Sequence, residues 1–251
     1  MTGSDQVARI ISFKDGKYEQ GTDPSQTGYV SISIGDQIVF GDLNGDGLAD
    51  AVVSLAENYG GTGVFVSILV ILNNSGQPGR VATASIEDRA LVNELKIENG
   101  EILVDVTVHG PNDPLCCPSQ PSTRIYRLIE NNLVLSRLST NTPDGSERVI
   151  QINSPANGAE LSGPFVIMGT VSISPFENNL VYRIFKPGAS EPIDQAGFII
   201  SADGLGGPGS FELTLDMRQK GFMGPLRIEI LDTSPADGST LALATLFIIS
   251  K

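Results

Sequence analysis

Asp42, Asn44, Asp46 and Asp50 lie within one short segment, Asp42-Leu-Asn-Gly-Asp-Gly-Leu-Ala-Asp50, three of them at alternate positions. That spacing around glycines gathers hard oxygen donors about a point. Calcium takes roughly six to eight oxygens in a flexible geometry, and the carbonyl of Leu48, at the seventh position, adds one more donor. Gly47 permits the sharp bend such a loop needs. Three carboxylates held this close repel one another unless a cation joins them. The twelfth position is Val53 instead of the bidentate Glu of an EF-hand, and the flanks Ile38–Phe40 and Ala51–Leu55 read as strands. The expectation is therefore a structural calcium loop between two strands, with Asp42, Asn44, Asp46, Leu48 and Asp50 as ligands. The alternative is an ion-free double turn built by Asn44-Gly45 and Asp46-Gly47.

Cys116 and Cys117 are adjacent and are the only cysteines, so they cannot staple distant parts of the chain together. Across a trans peptide their Cα atoms lie about 3.8 Å apart, closer than a relaxed disulfide prefers. In an oxidising compartment a vicinal disulfide that stiffens the Pro111–Pro121 loop is favoured over two free thiols or an intermolecular bridge. No Cys-x-x-Cys spacing accompanies the pair. His109, the only histidine, would complete a zinc site with the two cysteines only if a fourth ligand were found. A hydrogen-bonded histidine at a strand end is the plainer reading. No Gly-x-Ser-x-Gly elbow suggests a serine nucleophile. Gly204–Gly209 precedes a strand and contains Pro208, so it lacks the helix N-terminus that a phosphate cradle needs. Glu98 and Glu101 flank a hairpin turn and read as solvated charge.

The elements that position these residues are short and β-rich. A chain of 251 residues with 28 Gly, 15 Pro and 40% hydrophobic residues suits two domains of many short strands. Hairpin signals fall at Asp15-Gly16, between Val7–Lys14 and Lys17–Gln20. Others fall at Asn99-Gly100, between Leu91–Glu98 and Glu101–His109, and at Asn131-Asn132, between Thr123–Glu130 and Leu133–Leu138. Val64–Leu72 is apolar except for Ser67 and suits a central strand. Ile102, Val104, Val106 and Val108 alternate with Leu103, Asp105, Thr107 and His109, giving one wet face. A helix near Glu87–Glu94 is weighed and set aside, because Val92, Leu95 and Ile97 make no long helical stripe. The polar run Ser139–Glu147 marks the expected boundary between an antiparallel β domain over 1–146 and a β-sandwich over 147–251. Seven strand candidates follow it: Arg148–Ile152, Phe165–Val171, Leu180–Lys186, Ile193–Ser201, Phe211–Met217, Leu226–Leu231 and Leu241–Ile249. That half has no Cys, and the chain has no Trp.

The formal net charge is −13, and carboxylates outnumber cations in both halves. A nucleic-acid ligand is excluded by the missing cationic footprint, and so is a polybasic membrane patch. No run approaches the ~18 apolar residues of a membrane span, and no 20 to 50-residue repeat supports a propeller. The opening Met-Thr-Gly-Ser carries neither a charged nor an apolar leader segment. The expectation is that a secretion or lipoprotein leader has been removed and that the protein is exported.

The second half resembles the immunoglobulin-like domain of bacterial spore-germination and related envelope proteins. The resemblance rests on Ile152-Asn-Ser-Pro-Ala-Asn-Gly-Ala-Glu-Leu161, Pro164-Phe165 through Gly169-Thr170, Tyr182-Arg183, and Gly204-Leu-Gly-Gly-Pro-Gly-Ser-Phe211. It implies an accessory β-sandwich in an exported bacterial protein and transfers no catalytic residue. The first half is similar in part to uncharacterised bacterial envelope proteins with a Gly-Asp-Leu-Asn-Gly-Asp-Gly segment and a Cys-Cys-Pro segment. Its loop also resembles those of integrin-type repeat proteins, which carry such loops in series where this chain has one. Together these readings give an all-β, non-enzymatic envelope or secreted binding protein stabilised by calcium, with protein or cell-wall glycan as partner. The rivals are a calcium-dependent envelope hydrolase using acidic residues near the loop and a thiol-redox sensor centred on Cys116 and Cys117.

Overall fold

A computed structural model describes residues 11–130 and 132–251, and they form an all-β protein. In the first half β1 (Lys17–Gln20), β2 (Val30–Gly41), β3 (Asp50–Asn58), β4 (Phe65–Asn74) and β5 (Gln77–Asp88) make a five-stranded meander. Then β6 (Leu91–Glu98), β7 (Glu101–Val108), β8 (Gln120–Ile129) and β9 (Asn132–Asn141) follow as a second antiparallel series. The second half holds β10 (Glu147–Arg148), β11 (Ile150–Ser154), β12 (Ala159–Leu161), β13 (Pro164–Val171), β14 (Asn179–Phe185), β15 (Asp194–Ile199), β16 (Ser201–Ala202), β17 (Gly209–Asp216), β18 (Gly224–Thr233) and β19 (Thr240–Ser250). Among the described residues no helix is long and apolar enough to cross a membrane.

Turn chemistry sets the hairpins. Asp15 and Gly16 both have positive φ (52° and 75°), as do Asn99 and Gly100 (52° and 74°), which matches the twist of the flanking strands. Glu98 consequently faces Glu101 across the turn. The strand expected from Val7 lies outside the described residues up to residue 10, and Lys14 bridges Lys17. At the next turn Ile129 pairs with Asn132, so Asn132 belongs to the strand and not to the turn; Asn131 is outside the described residues. The region weighed as a helix near Glu87–Glu94 consists of the end of β5 and the start of β6.

Alternation decides what each strand buries. Ile102, Val104, Val106 and Val108 of β7 are buried while the intervening residues are half exposed. They pack with Val66, Ile68, Val70 and Leu72 of β4 between the meander and the second series. The other face of the meander carries a smaller cluster of Ile32, Val53 and Leu55, against which Ile11, Phe13 and Leu69 pack. In the second half β11-β13-β17-β16 form one sheet. Its inward residues, including Ile167, Phe211, Leu213 and Leu215, meet Ile184, Ile228, Ile230 and Leu246 of the opposite layer, the arrangement of a two-sheet sandwich. Burying a side chain of this size contributes about 1.5–3 kcal/mol.

The opposite layer of the sandwich is not separate from the first half. Ten strands share one sheet, in the order β15-β14-β18-β19-β9-β8-β7-β6, with β10 added beside β9 and β12 beside β19. Leu138 faces Leu243 and Arg137 faces Ala244 across the β9–β19 seam. Thr140 Oγ1 donates to the Leu241 carbonyl (2.7 Å) and Thr245 Oγ1 to that of Leu135 (2.8 Å). Leu138, Leu231 and Leu243 form a small apolar cluster at the same place. The polar run read from Ser139 thus begins inside β9. Ser139 and Thr140 are buried there because each hydroxyl finds an acceptor, Glu147 for Ser139 and Leu241 for Thr140.

Candidate functional site

The Asp42–Asp50 segment joins β2 to β3, whose last ladder pair is Gly41 with Asp50. Gly41 is required by packing: a Cβ there would lie 2.7 Å from Cγ2 of Ile97 on β6. Past it the chain bends through Gly45 and Gly47, both with φ near 80°, a region most side chains avoid.

The acidic side chains fold back on their own backbone. Asp42 accepts the N–H of Gly45 on Oδ1 (2.7 Å) and of Gly47 on Oδ2 (2.9 Å). These donors, Gly47 foremost, hold its carboxyl below the usual carboxylate range. Asn44 Oδ1 accepts from Asp46 N–H (3.0 Å), and its Nδ2 donates to Asp46 Oδ2 (3.0 Å). Asp46 Oδ1 accepts the N–H of Leu48 (2.8 Å).

Asp50 differs from the others. Its carboxylate is fully buried, with Oδ2 accepting from Leu43 N–H and Oδ1 from Asn73 N–H, both at 2.9 Å. Asn73 Nδ2 donates in turn to the Ala49 carbonyl (3.2 Å), while its Oδ1 accepts from Gly76. Asn73 thus ties the loop to the β4–β5 turn. Sequence reading missed it because it stands 23 residues from Asp50 and carries no loop motif.

The structure therefore brings Asp42, Asn44, Asp46 and Leu48 onto one exposed turn and sets Asp50 at its base. Among the described residues no group of three or more His, Cys, Asp or Glu side chains is arranged to hold a metal ion. The donor set still has the chemistry for one. Each carboxylate oxygen keeps a second lone pair after accepting a backbone N–H. None of the three carboxylates has a Lys, Arg or His partner among the described residues.

The second candidate is the loop between β7 and β8. Asp113 gathers it, accepting from Gly110 N–H (2.8 Å), Ser119 N–H (2.7 Å) and Ser119 Oγ (2.8 Å). Those donors, led by Gly110, lower its carboxyl pKa. Cys116 and Cys117 are exposed at the tip and joined to each other, with Cα atoms 3.8 Å apart. Cys117 N–H donates to the Pro114 carbonyl (2.9 Å), closing a turn. His109 lies just beyond the end of β7, with Nε2 3.2 Å from the Leu115 carbonyl and its backbone N–H donating to Glu87. The histidine ring is thus engaged in holding the loop.

Gly204–Gly209 leads from β16 to β17 and is pinned by Ser174, whose Oγ accepts the N–H of Gly206 (2.8 Å).

Neither the curated proteins nor the solved structures compared with this chain gave a match. Residues 149–239, which hold the sandwich strands from β11 through β18, match the family model of the immunoglobulin-like domain of bacterial spore germination.

Proposed function

We propose that this chain is a cell-envelope or secreted binding and scaffolding protein whose first half is braced by a calcium ion at Asp42–Asp50. The observation that carries the reading is the match of residues 149–239 to an immunoglobulin-like domain of spore germination, a process of the bacterial envelope. Such a fold presents loops from a rigid β framework, the usual arrangement for recognition. Calcium is supported by the donor set of Asp42, Asn44, Asp46 and Asp50, and by the lack of a cationic partner for these carboxylates among the described residues. The ion's role is structural: it offsets repulsion in a turn that continues directly into β3.

The test is sedimentation with purified bacterial cell walls in calcium and in chelator. Protein carried into the pellet, at a level that saturates with added protein, is the expected result. Protein left in the supernatant at every wall concentration would remove the wall-binding reading.

A further inference from the structure

A cleft of about 420 Å³ opens where the two halves of the chain meet. One wall comes from the first half, with Glu101 on β7, Arg127 on β8 and Arg137 on β9; the other comes from β11 and the chain after it, with Gln151, Asn153 and Asn157. Ala244, Thr245 and Leu246 of β19 also line it.

Strand alternation makes the second wall polar. Ile150 is buried in the sandwich and Ile152 packs against it, so Gln151 and Asn153 are turned outward and exposed. On the first wall Arg127 Nε donates to Glu101 (2.5 Å), and both residues line the cleft. Arg137 is exposed and has no ion-pair partner among the described residues. Two guanidinium groups thus stand against one carboxylate, in a protein whose net charge is −13.

We infer that this cleft binds a carboxylate-bearing glycan. Guanidinium groups match carboxylates through paired N–H donors. Each amide of Gln151 and Asn153 offers both a donor and an acceptor, as a run of sugar hydroxyls requires. The polar β11 wall favours a hydroxyl-rich chain over a peptide, whose side chains would look for apolar recesses. The junction of two packed units is a common place for a ligand site. The inference goes beyond the envelope-binding reading in naming a site and a ligand class, and it does not depend on calcium.

The test is titration calorimetry of the full chain with oligogalacturonate, its methyl ester, a neutral oligosaccharide of equal length and oligoglutamate. Binding of oligogalacturonate at least tenfold tighter than of the other three, weakening with salt and lost by at least tenfold in both Arg137→Gln and Asn153→Ala, is expected. Arg137 and Asn153 are exposed, so these variants keep the fold, and their far-ultraviolet circular dichroism checks that they do. Equal affinity for the methyl ester or for oligoglutamate overturns the ligand class. Full affinity in both variants, or no binding by the parent protein, overturns the site. Binding to whole cell walls that survives in both variants would leave the envelope reading standing while removing this cleft from it.

Discussion

Arg148 reaches from β10 to Asp232 on β18, with Nη1 2.7 Å from Oδ2, and the aspartate side chain is almost wholly buried. Burial pushes the Asp232 carboxyl above the usual range while Arg148 opposes the shift. Removing one partner of such a pair leaves an uncompensated charge inside the protein, at a cost of about 3–5 kcal/mol.

Arg148→Met is therefore expected to be strongly destabilised at neutral pH, and the penalty should shrink in acid. A carboxyl whose folded-state pKa is raised contributes its stability fully below the unfolded value, near 3.8. That contribution is lost as pH rises through the folded value. Without Arg148 the folded value climbs further, so the loss at neutral pH is larger. Urea denaturation of both proteins at neutral and mildly acidic pH checks this; a penalty that stays constant across the range contradicts it.

Calcium should raise the melting temperature. A ligand bound only by the folded state adds about 2.7 kcal/mol at a concentration of 100 Kd, equivalent to roughly 5–10 °C for a chain of this size. Asp46→Asn keeps an acceptor for the Leu48 N–H but removes a charge, and it should abolish most of the shift. Thermal melts in calcium and in chelator read both effects, and equal melting temperatures in the two buffers would dismiss the ion.

Reduction of Cys116–Cys117 should add two hydrogens to the intact mass and alter stability by less than about 1 kcal/mol. A bond between adjacent residues closes no long loop in the unfolded chain. An unchanged mass on reduction would show free thiols. A midpoint potential close to that of the cellular thiol pool would instead favour the redox-sensor reading.

Unfolding should be a single cooperative event. The β9–β19 seam couples the halves through Leu138 and Leu243, and Leu243→Ala should cost about 2–5 kcal/mol while lowering one common transition. Two separate calorimetric transitions in the parent protein would show that the seam does not couple them.

Much of this architecture is legible in residue order. The alternation of β7 and the Asn99-Gly100 turn follow from local chemistry, and so do the sandwich strands β13, β17 and β18. The Asp42–Asp50 turn is equally local, since its hydrogen bonds span at most seven residues apart from those that reach Asn73. What escaped was long-range. Thr140 meets Leu241 101 positions away, and nothing in a polar run announces a strand edge that another strand will cover. The three residues of β12, paired in parallel with β19, were too few to show a period. The junction cleft is assembled from β7, β8, β9, β11 and β19; the motif that starts at Ile152 supplies one wall, and nothing in it announces the strands that supply the other.

The short pairing of β9 with β19, Leu138 with Leu243 and Arg137 with Ala244, also governs how this chain tolerates being cut. Severing the chain near residue 146 and producing either piece alone would strip β9 of both β19 and β10 and lay bare the amides and carbonyls that they cover. Such an edge recruits whatever strand it meets first, and in a concentrated solution that is another copy of the same fragment.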